Sequence, residues 1–427
     1  MLSSDGRAVS RRKLSIALRL RQQRGNISTM SSASPTLPQP PHRLVLALGV
    51  GQIFAWGTSF YLLSVIAKPL SDSLGTTTAM VFAGLTLAFI SAGICAPAVG
   101  LLIERFGGRP VLAASSLLLA LGLVVMGSVQ SLTTYFIAWA ILGAAMSAGL
   151  YDAAFSALGK LYGSEARPLI SELTLYGGFA STICWPITAY MVAHYDWRAA
   201  CYLYAAVHLL ICMPLHLIAL PKQQPLTKDS HALRSTASDA KFRWSDFLLV
   251  ATVLTIAAAL ASVIAQHAVM LLQGVGYSIA AAVSLGMLIG PSQVASRIAE
   301  RVLGRLYHPV WTLVASTLLV FAGLLLLWWG MSFAALALIF YGAGNGIYSI
   351  ARGAVPLAVF GPDGYAPLMG RIAFPSLVAQ ALAPWGAAAL TEARGAETLL
   401  GAIAVIGAAN CLLAVWLAAK VLGRFQD

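Results

Sequence analysis

The sequence predicts an all-α membrane protein with twelve transmembrane helices arranged as two pseudo-symmetric six-helix bundles. Three observations predict this fold: the composition, the length of the apolar stretches and a repeat that relates the two halves of the chain. Of the 427 residues, 59% are hydrophobic and only 10% are charged, whereas a soluble protein carries about a quarter charged residues. This composition excludes a soluble enzyme, a secreted disulfide scaffold and a disordered chain.

The apolar stretches have the length that a helix needs to cross a bilayer. About 20 mostly apolar residues, rising about 1.5 Å each, span a hydrocarbon layer of about 30 Å. The stretches lack the alternating pattern of β-barrel strands. Twelve stretches, numbered below as spans one to twelve, meet this requirement at approximately 44–67, 79–103, 109–129, 133–157, 167–190, 197–220, 245–271, 278–299, 308–329, 332–355, 366–390 and 398–421.

The basic residues predict the orientation of these spans. Connections on one side hold 24 of the 27 Lys and Arg, and only Lys68, Arg198 and Arg394 lie on the other side. Because Lys and Arg accumulate in cytoplasmic loops, we expect a multi-pass protein of the cytoplasmic (inner) membrane with both termini cytoplasmic. This distribution favours membrane topology over a nucleic-acid-binding groove as the origin of the net charge of +12.

The same features divide the chain into regions. We expect a basic, disordered cytoplasmic tail, within which Met30 is an alternative start, then two helical bundles joined by a cytoplasmic linker, and a short cytoplasmic tail. The expected boundaries are 1–43 for the first tail, 44–220 and 245–421 for the two bundles, 221–244 for the linker and 422–427 for the last tail.

An internal repeat relates the two halves. The segment Glu104–Arg109 after span two matches Glu300–Arg305 after span eight at an offset of 196 residues. Gly149-Leu150-Tyr151 matches Gly346-Ile347-Tyr348 at an offset of 197, and a third match at the start of spans five and eleven has an offset of 199. Three matches in order at nearly constant offset indicate duplicated architecture.

One of these segments resembles a known family. Residues 100–109, Gly-Leu-Leu-Ile-Glu-Arg-Phe-Gly-Gly-Arg, are similar to the signature loop between helices two and three of the major facilitator superfamily. The resemblance implies the major facilitator fold, with two parallel halves around a midplane site. Within the superfamily, the chain most resembles the monocarboxylate-porter-like and oxalate/formate-like branch, through Tyr195-Asp196-Trp197-Arg198 and through His267 with Gly274 and Gly276.

The chain departs from the drug:proton antiporters of the superfamily. Many of these have an arginine in span four where this chain has Trp139. Their glycine- and proline-rich motif in span five is represented only by Gly177, Gly178 and Pro186. The resemblance therefore favours a solute transporter over a drug:proton antiporter.

Polar residues three or four apart share one face of a helix, and spans one, four, seven and ten each carry such a face. The resemblance places these four helices around the central cavity, although hydrogen bonds that hold helices together are an alternative explanation of each polar residue. The candidate residues of the substrate cavity are Gln52, Trp56, Ser59, Tyr151, Thr255, Ser262, Gln266, His267, Tyr341, Asn345, Tyr348 and Arg352.

Ionisable groups inside a bilayer are costly and are candidates for function. Arg352 offers a guanidinium fork suited to a carboxylate, but it and Arg371 are alternatively expected to pair with Asp363 or with the loop of Glu300. Asp152 is a candidate for the coupling proton or, alternatively, for a gate pair with Arg105 or Arg109. The coupling or gate candidates are Glu104, Arg105, Arg109, Asp152, Glu172, Glu300, Arg301, Arg305 and Arg371.

Three further patterns bear on metal binding, disulfide formation and enzymatic chemistry. His208, Cys212 and His216 lie at i, i+4 and i+8 on span six, which is too long a spacing for one shared metal ion. The five cysteines show no CxxC spacing, so we expect buried free thiols. The chain contains no GxxxxGK[ST] motif and no HExxH motif, so neither ATP-driven transport nor a zinc-dependent hydrolase is supported.

We therefore predict a secondary active transporter, not an enzyme, that moves a small anionic solute by alternating access with proton coupling or by exchange. An efflux pump for a drug, antibiotic or metalloid is the alternative. A membrane-embedded sensor or enzyme without transport is the second alternative. The expected partners are the lipid bilayer, a small solute and a proton, with no cofactor, no metal, no nucleic acid and a monomeric chain.

Overall fold

The computed structural model describes residues 42–222, 243–274 and 276–423. The expected basic tail up to residue 41, most of the linker and the last four residues lie outside these ranges. In the described residues the chain is helical and crosses the bundle twelve times. The end that carries the predicted cytoplasmic loops is called the inner end below, and the opposite end is called the outer end.

The helices of the N-terminal half form spans one to six. Span six contains a π-helical segment, His208–Cys212, between its two α-helical parts. A short 3₁₀ turn, Gly163–Glu165, separates spans four and five. The α-helices are His42–Gly57, Leu63–Leu74, Thr78–Phe106, Gly108–Gly127, Leu132–Gly149, Tyr151–Tyr162, Ala166–Gly178, Ala180–His194, Trp197–Val207 and Met213–Ala219.

The helices of the C-terminal half form spans seven to twelve. Two 3₁₀ turns, Gly304–Leu306 and Met331–Phe333, precede spans nine and ten. The α-helices are Trp244–Gly274, Ile279–Gly286, Ile289–Leu303, Pro309–Trp329, Ala334–Phe360, Tyr365–Arg394 and Ala396–Leu422.

Nine helical stretches among the described residues are long and apolar enough to cross a membrane. One of them, Leu132–His194, contains both span four and span five. Spans one and eight each consist of two shorter helices, which individually fall below the length that a crossing requires. The total of twelve crossings agrees with the number that the sequence predicts.

Four spans are interrupted, and each interruption directly follows a glycine. The first helical parts of spans one, four, five and eight end at Gly57, Gly149, Gly178 and Gly286. Glycine weakens a helix by about 1 kcal/mol relative to alanine, so these positions are the weakest points of otherwise apolar helices. The sequence-based ranges had treated all four spans as continuous helices.

The two halves contact each other along two lines. Span two packs along span eleven, and the first part of span five packs against the second part of span eight. Gly100 and Gly370 face the Ala366 and Ala96 carbonyl oxygens so closely that a Cβ on either glycine would overlap the opposite backbone. Small residues therefore allow spans two and eleven to approach closely at the inner end.

Candidate functional site

A small cavity of about 20 Å³ lies between the two halves. Apolar and aromatic side chains form most of its wall, while a carboxylate and a guanidinium form its charged end. The residues that line it come from spans one, two, four, ten and eleven: Trp56, Phe89, Ala92, Ala96, Met146, Ser147, Leu150, Tyr151, Asp152, Arg352, Leu377 and Gln380.

An ion pair joins the halves at the charged end of this cavity. The Arg352 Nη2 atom on span ten donates to Asp152 Oδ2 on span four, and the two side chains are 11% and 17% exposed. Asp152 lies in the first turn of the helix Tyr151–Tyr162, where the helix dipole stabilises a carboxylate.

This pair corrects the gate partners expected from the sequence. Asp152 pairs with Arg352, and neither Arg105 nor Arg109 pairs with it. Arg352 in turn pairs with neither Asp363 nor the Glu300 loop. The sequence-based alternatives considered partners within one half or in the nearest loop, whereas the structure pairs residues 200 positions apart across the interface.

Three buried polar atoms of the cavity wall, Trp56 Nε1, Ser147 Oγ and Asp152 Oδ1, have no hydrogen-bond partner among the residues that the structure describes. One is an N–H donor, one is a hydroxyl and one is a carboxylate oxygen. Leaving such a group unpaired in a buried position costs about 1–3 kcal/mol. The cavity therefore offers three open hydrogen-bonding positions to a polar solute.

Aromatic rings cover the N-terminal side of the cavity. The ring centroids of Trp56 and Tyr151 lie 5.1 Å apart, and Tyr151 stacks on Phe155 at 5.2 Å. Phe60 approaches Trp56 edge-on at 5.7 Å. Of these rings, Trp56 and Tyr151 line the cavity, while Phe60 and Phe155 pack against them.

Arg297 is a buried cation, although its place near the end of span eight is typical of a loop charge. Its side chain on span eight is 6% exposed, and its Nε atom donates to the Gly346 carbonyl at 3.2 Å. Its Nη1 atom donates to the Thr174 carbonyl on span five at 3.0 Å, which also accepts from the Tyr151 hydroxyl at 3.2 Å. Arg297 therefore lies beside the cavity wall.

Two glycines of span five make room for this arrangement. A Cβ on Gly177 would overlap the Tyr151 hydroxyl, and a Cβ on Gly178 would lie 2.7 Å from Arg297 Nη1. Within the described ranges, Arg297 forms no ion pair with a carboxylate, because its hydrogen bonds go to backbone carbonyls. The position of Arg297 one turn before Arg301 is the sequence signal that could have identified it.

A charged cluster closes the inner end between spans five and eight. Arg167 contacts Glu300 Oε1 at 3.1 Å, the Tyr307 carbonyl at 2.6 Å and the Thr312 hydroxyl at 3.2 Å. Glu300, whose side chain is 2% exposed, also accepts from the hydroxyls of Thr312, at 2.8 Å, and Tyr307. Burial and the Glu300 carboxylate raise the pKa of Tyr307, in the loop before span nine, to about 12.

A second ion pair belongs to the same cluster, because Arg301 contacts Glu172 at 2.8 Å. The predicted gate residues Glu172, Glu300 and Arg301 are thus brought together. For the described residues, the structure shows no ion pair for the remaining gate candidates, Glu104, Arg105, Arg109, Arg305 and Arg371.

Three predicted cavity residues of span ten line a different pocket. Tyr341, Asn345 and Tyr348 face a small pocket of about 10 Å³ inside the C-terminal half, together with Asn410 and residues of spans seven and nine. The Tyr348 hydroxyl donates to the Leu254 carbonyl at 2.8 Å. The periodicity of span ten identifies its polar face but not the neighbour that this face contacts.

The other predicted cavity residues on spans one and seven do not line the central cavity, although Ser262 bonds to Gln380, which does. On span one, Gln52 Nε2 donates to the Gly149 carbonyl at 2.7 Å, where span four is interrupted, and Ser59 donates to the Ala55 carbonyl. On span seven, Ser262 donates to the Gln380 carbonyl at 2.7 Å. The remaining contacts are Thr255 to Ser376, Gln266 to Ser262 and His267 to the Val263 carbonyl.

Comparisons with known proteins agree with this geometry. Residues 48–308 match the family model of the Major Facilitator Superfamily. A 184-residue stretch is 23% identical to monocarboxylate transporter 2 of Mus musculus, and a 119-residue stretch is 30% identical to monocarboxylate transporter 13 of Bos taurus. The matched stretches make up 42% and 27% of this chain, and 37% and 28% of the lengths of the two relatives. The match therefore spans less than half of either relative.

Solved structures show the same fold over most of the chain. The human organic anion transporter MFSD10 (TETRAN) superimposes with a TM-score of 0.71 at 18% identity, covering 88% of this chain and 100% of that one. The proton:xylose symporter XylE superimposes with a TM-score of 0.70 at 12% identity, covering 87% of this chain and 94% of that one. Because the family model matches more than half of the sequence, this chain belongs to the Major Facilitator Superfamily.

Proposed function

We propose that this transporter moves a small solute with one negatively charged group and an apolar body across the cytoplasmic membrane by alternating access. The fold is that of secondary transporters, which move small molecules without ATP hydrolysis by the chain itself. The charge, the shape of the solute and its coupling are inferred from the cavity.

The observation that carries the proposal is the buried guanidinium of Arg297, which has no carboxylate partner among the described residues. A buried charge without a counter-charge is costly, and pairing it with an opposite charge recovers much of the cost. Arg352 already has Asp152 as its partner. An anion that enters the cavity therefore gains most by approaching Arg297 beside the Tyr151 hydroxyl.

The cavity wall supports an apolar body for the solute. Five apolar or aromatic side chains line the space: Trp56, Phe89, Met146, Leu150 and Leu377. Sites of this kind bind the apolar part of a ligand, while a few polar groups fix its orientation. A monocarboxylate with an aromatic or branched body fits this wall better than a sugar acid with many hydroxyls.

Asp152 is the group that we propose to couple a proton to transport. Its Oδ2 atom is bound to Arg352, whereas its Oδ1 atom has no partner and is free to hold a proton. Protonation removes the negative charge of the pair, so Arg352 no longer holds the two halves together through this contact. Exchange of one anion for another is the alternative coupling, in which the solute itself competes for Arg352.

Two relatives support an anionic solute by their names, a mouse monocarboxylate transporter and a human organic anion transporter. We also propose the orientation that the basic loops predict, with both termini cytoplasmic, in the inner membrane. The functional unit is proposed to be the monomer, because the cavity and the charged cluster at the inner end are formed within one chain.

The first test is flux in proteoliposomes with phenylacetate, benzoate and gluconate as probes. We expect phenylacetate and benzoate to enter faster when the outside is acidic, and gluconate to be excluded. Arg297→Gln should lower phenylacetate flux at least about tenfold, because a charged hydrogen bond contributes about 1.5–3 kcal/mol. Arg394→Gln, at the outer loop, is the matched control and should retain the wild-type rate.

Equal flux in wild type and Arg297→Gln would contradict the proposed role of Arg297. Absence of flux for every carboxylate tested, with export of an apolar cation or neutral drug instead, would favour the second candidate, an efflux pump. The observation behind that candidate is the aromatic wall of Trp56, Phe60 and Tyr151, which would bind an apolar compound without an anion.

A further inference from the structure

Span one is interrupted next to the cavity. Its first helix ends at Gly57 and its second begins at Leu63. In the turn between them, Thr58 and Ser59 are fully buried, and the Tyr61 amide donates to the Trp56 carbonyl at 3.0 Å. The turn is therefore an ordered part of the bundle, directly after a residue that lines the cavity.

The turn carries aromatic residues that cover Trp56 on its outer side. Phe60 contacts Trp56, and the Tyr61 ring lies 6.0 Å from the ring of Trp185 on span five. Trp185 Nε1 donates to the Tyr61 carbonyl at 3.2 Å. The path of the turn thus determines where this aromatic cover lies relative to the cavity.

His208 of span six forms a hydrogen bond with the start of the turn. Its Nε2 atom lies 2.8 Å from Thr58 Oγ1, and the Thr58 hydroxyl donates its hydrogen to the Phe54 carbonyl at 2.7 Å. A hydroxyl has one hydrogen to donate, so Nε2 of His208 must be the donor in this contact. The imidazole is therefore held as the Nε2–H tautomer, and its Nδ1 atom has no partner.

The π-helical segment explains how His208 reaches span one. Eight residues further along span six, His216 Nε2 occupies the space beside Gly51, where a Cβ would lie 2.5 Å away. Gly51 and Thr58 are seven residues apart, which is about two α-helical turns, whereas the two histidines are eight apart. A π turn accommodates one extra residue, so both histidines face span one.

We propose that His208 is a positioning residue that holds the interrupted span one, and with it the aromatic cover, in place over the cavity. Its hydrogen bond fixes the start of the turn, from which the outer helix Leu63–Leu74 continues. The inference rests on the proposed function only in that the cavity is the path of the solute. π-helical segments inside α-helices are frequent at functional sites.

The test measures the position of the outer helix without any solute. Spin labels at Ser73→Cys on the outer helix and Gln130→Cys in the outer loop before span four, both exposed, report their separation by double electron–electron resonance. We expect one narrow distance distribution in the otherwise unmodified chain. His208→Leu should broaden it or add a second population, because the outer helix loses its fixed start.

His208→Gln should restore the narrow distribution, since its side-chain amide can still donate to Thr58. His216→Leu is the matched control, a buried histidine of the same span that contacts Leu112 and Ser116 rather than the turn. We expect His216→Leu to lower the melting temperature without changing the distance distribution.

Thr58→Val provides an independent variant if His208→Leu does not fold. It removes the acceptor and should broaden the distribution in the same way. Unchanged distributions in both Thr58→Val and His208→Leu, or equal broadening in His216→Leu, would overturn the proposal. These measurements need no substrate, so they remain decisive even if the flux experiments contradict an anionic solute.

Discussion

The two buried arginines of the cavity region are in different electrostatic states. Arg352 has a carboxylate partner across the interface, while Arg297 donates only to carbonyl oxygens among the described residues. A paired charge is suited to holding two halves together, and an unpaired one is suited to receiving an anion. This difference is the reason why we propose a gate role for Arg352 and a recognition role for Arg297.

A single methyl group added to span five gives a second prediction about one residue. Gly177→Ala should displace the Tyr151 hydroxyl, because its Cβ would overlap that atom. That hydroxyl donates to the Thr174 carbonyl beside Arg297, so its displacement disturbs the proposed position of the anion. If the disturbance costs as much as one hydrogen bond, about 0.5–1.5 kcal/mol, the KM for phenylacetate rises about two- to tenfold. Flux measured over a range of phenylacetate concentrations tests this expectation.

Gly386→Ala is the matched control for this variant, since it adds the same methyl group to span eleven where no atom lies within 4 Å. We expect wild-type KM for Gly386→Ala. An unchanged KM in Gly177→Ala would show that the Tyr151 hydroxyl does not contribute to the site.

At the scale of the helices, the apolar stretches predicted the number and approximate bounds of the spans but not their interruptions. A glycine inside a membrane helix is common, because neighbouring helices can satisfy the freed backbone groups. Gly57 and Gly149 therefore look in sequence like Gly84 and Gly143, which lie inside continuous helices. Only the packing around each glycine determines which helix is interrupted.

The candidate site likewise could be predicted only in part from the sequence. The polar and aromatic faces of the spans predicted four residues that line the central cavity: Trp56, Tyr151, Asp152 and Arg352. Arg297 was missed, because a cation near the end of a span resembles a loop charge unless the helix is known to continue to Leu303. Periodicity gives the face of a helix, whereas the neighbour of that face depends on tertiary packing.

The cap of span nine gives a pH-dependent prediction. His308 precedes the helix, and its Nδ1 atom accepts from the Val310 amide at 3.2 Å. Burial, and secondly the nearby Arg167 charge, lower the pKa of His308 below its usual 6.5. The folded state therefore disfavours protonation, so this contribution to stability is present above pH 6.5 and is lost as the pH falls below it.

We expect the melting temperature of the wild type to fall more between pH 7.5 and pH 5.5 than that of His308→Asn. Asparagine can cap the helix but does not titrate in this range. The other titrating groups are the same in both proteins, so their effects cancel when the two changes in melting temperature are subtracted. Parallel curves for the two proteins would contradict the role of His308.

At the scale of the whole molecule, the hydrogen bonds and ion pairs between the halves are concentrated at the inner end. Three ion pairs lie toward that end: Arg167–Glu300, Arg301–Glu172 and Arg352–Asp152. Toward the outer end, Trp385 donates to Thr86 at 3.2 Å. The contacts at the inner end are the ones expected of a closed inner gate, which is one of the two states that the proposed alternating access requires.

The Arg167–Glu300 pair should set the equilibrium between the two states. Breaking a buried pair costs about 3–5 kcal/mol, and Glu300 is almost fully buried. Glu300→Gln leaves Arg167 without its counter-charge in the closed state only, because the pair separates when the inner end opens. We therefore expect Glu300→Gln to shift the population toward the inward-open state.

Spin labels at Arg105→Cys, in the last turn of span two, and at Arg305→Cys, in the 3₁₀ turn before span nine, measure this shift as a longer mean distance; both positions are exposed. The double variant Arg167→Gln, Glu300→Gln should move the distance back toward the wild-type value, because it removes the unpaired charge that destabilises the closed state. Lys68→Gln, which breaks an exposed pair with Asp72 at the outer end, is the control and should leave the distance unchanged. A longer mean distance in the double variant than in Glu300→Gln would show that the pair acts by simple attraction rather than by the cost of an isolated buried charge.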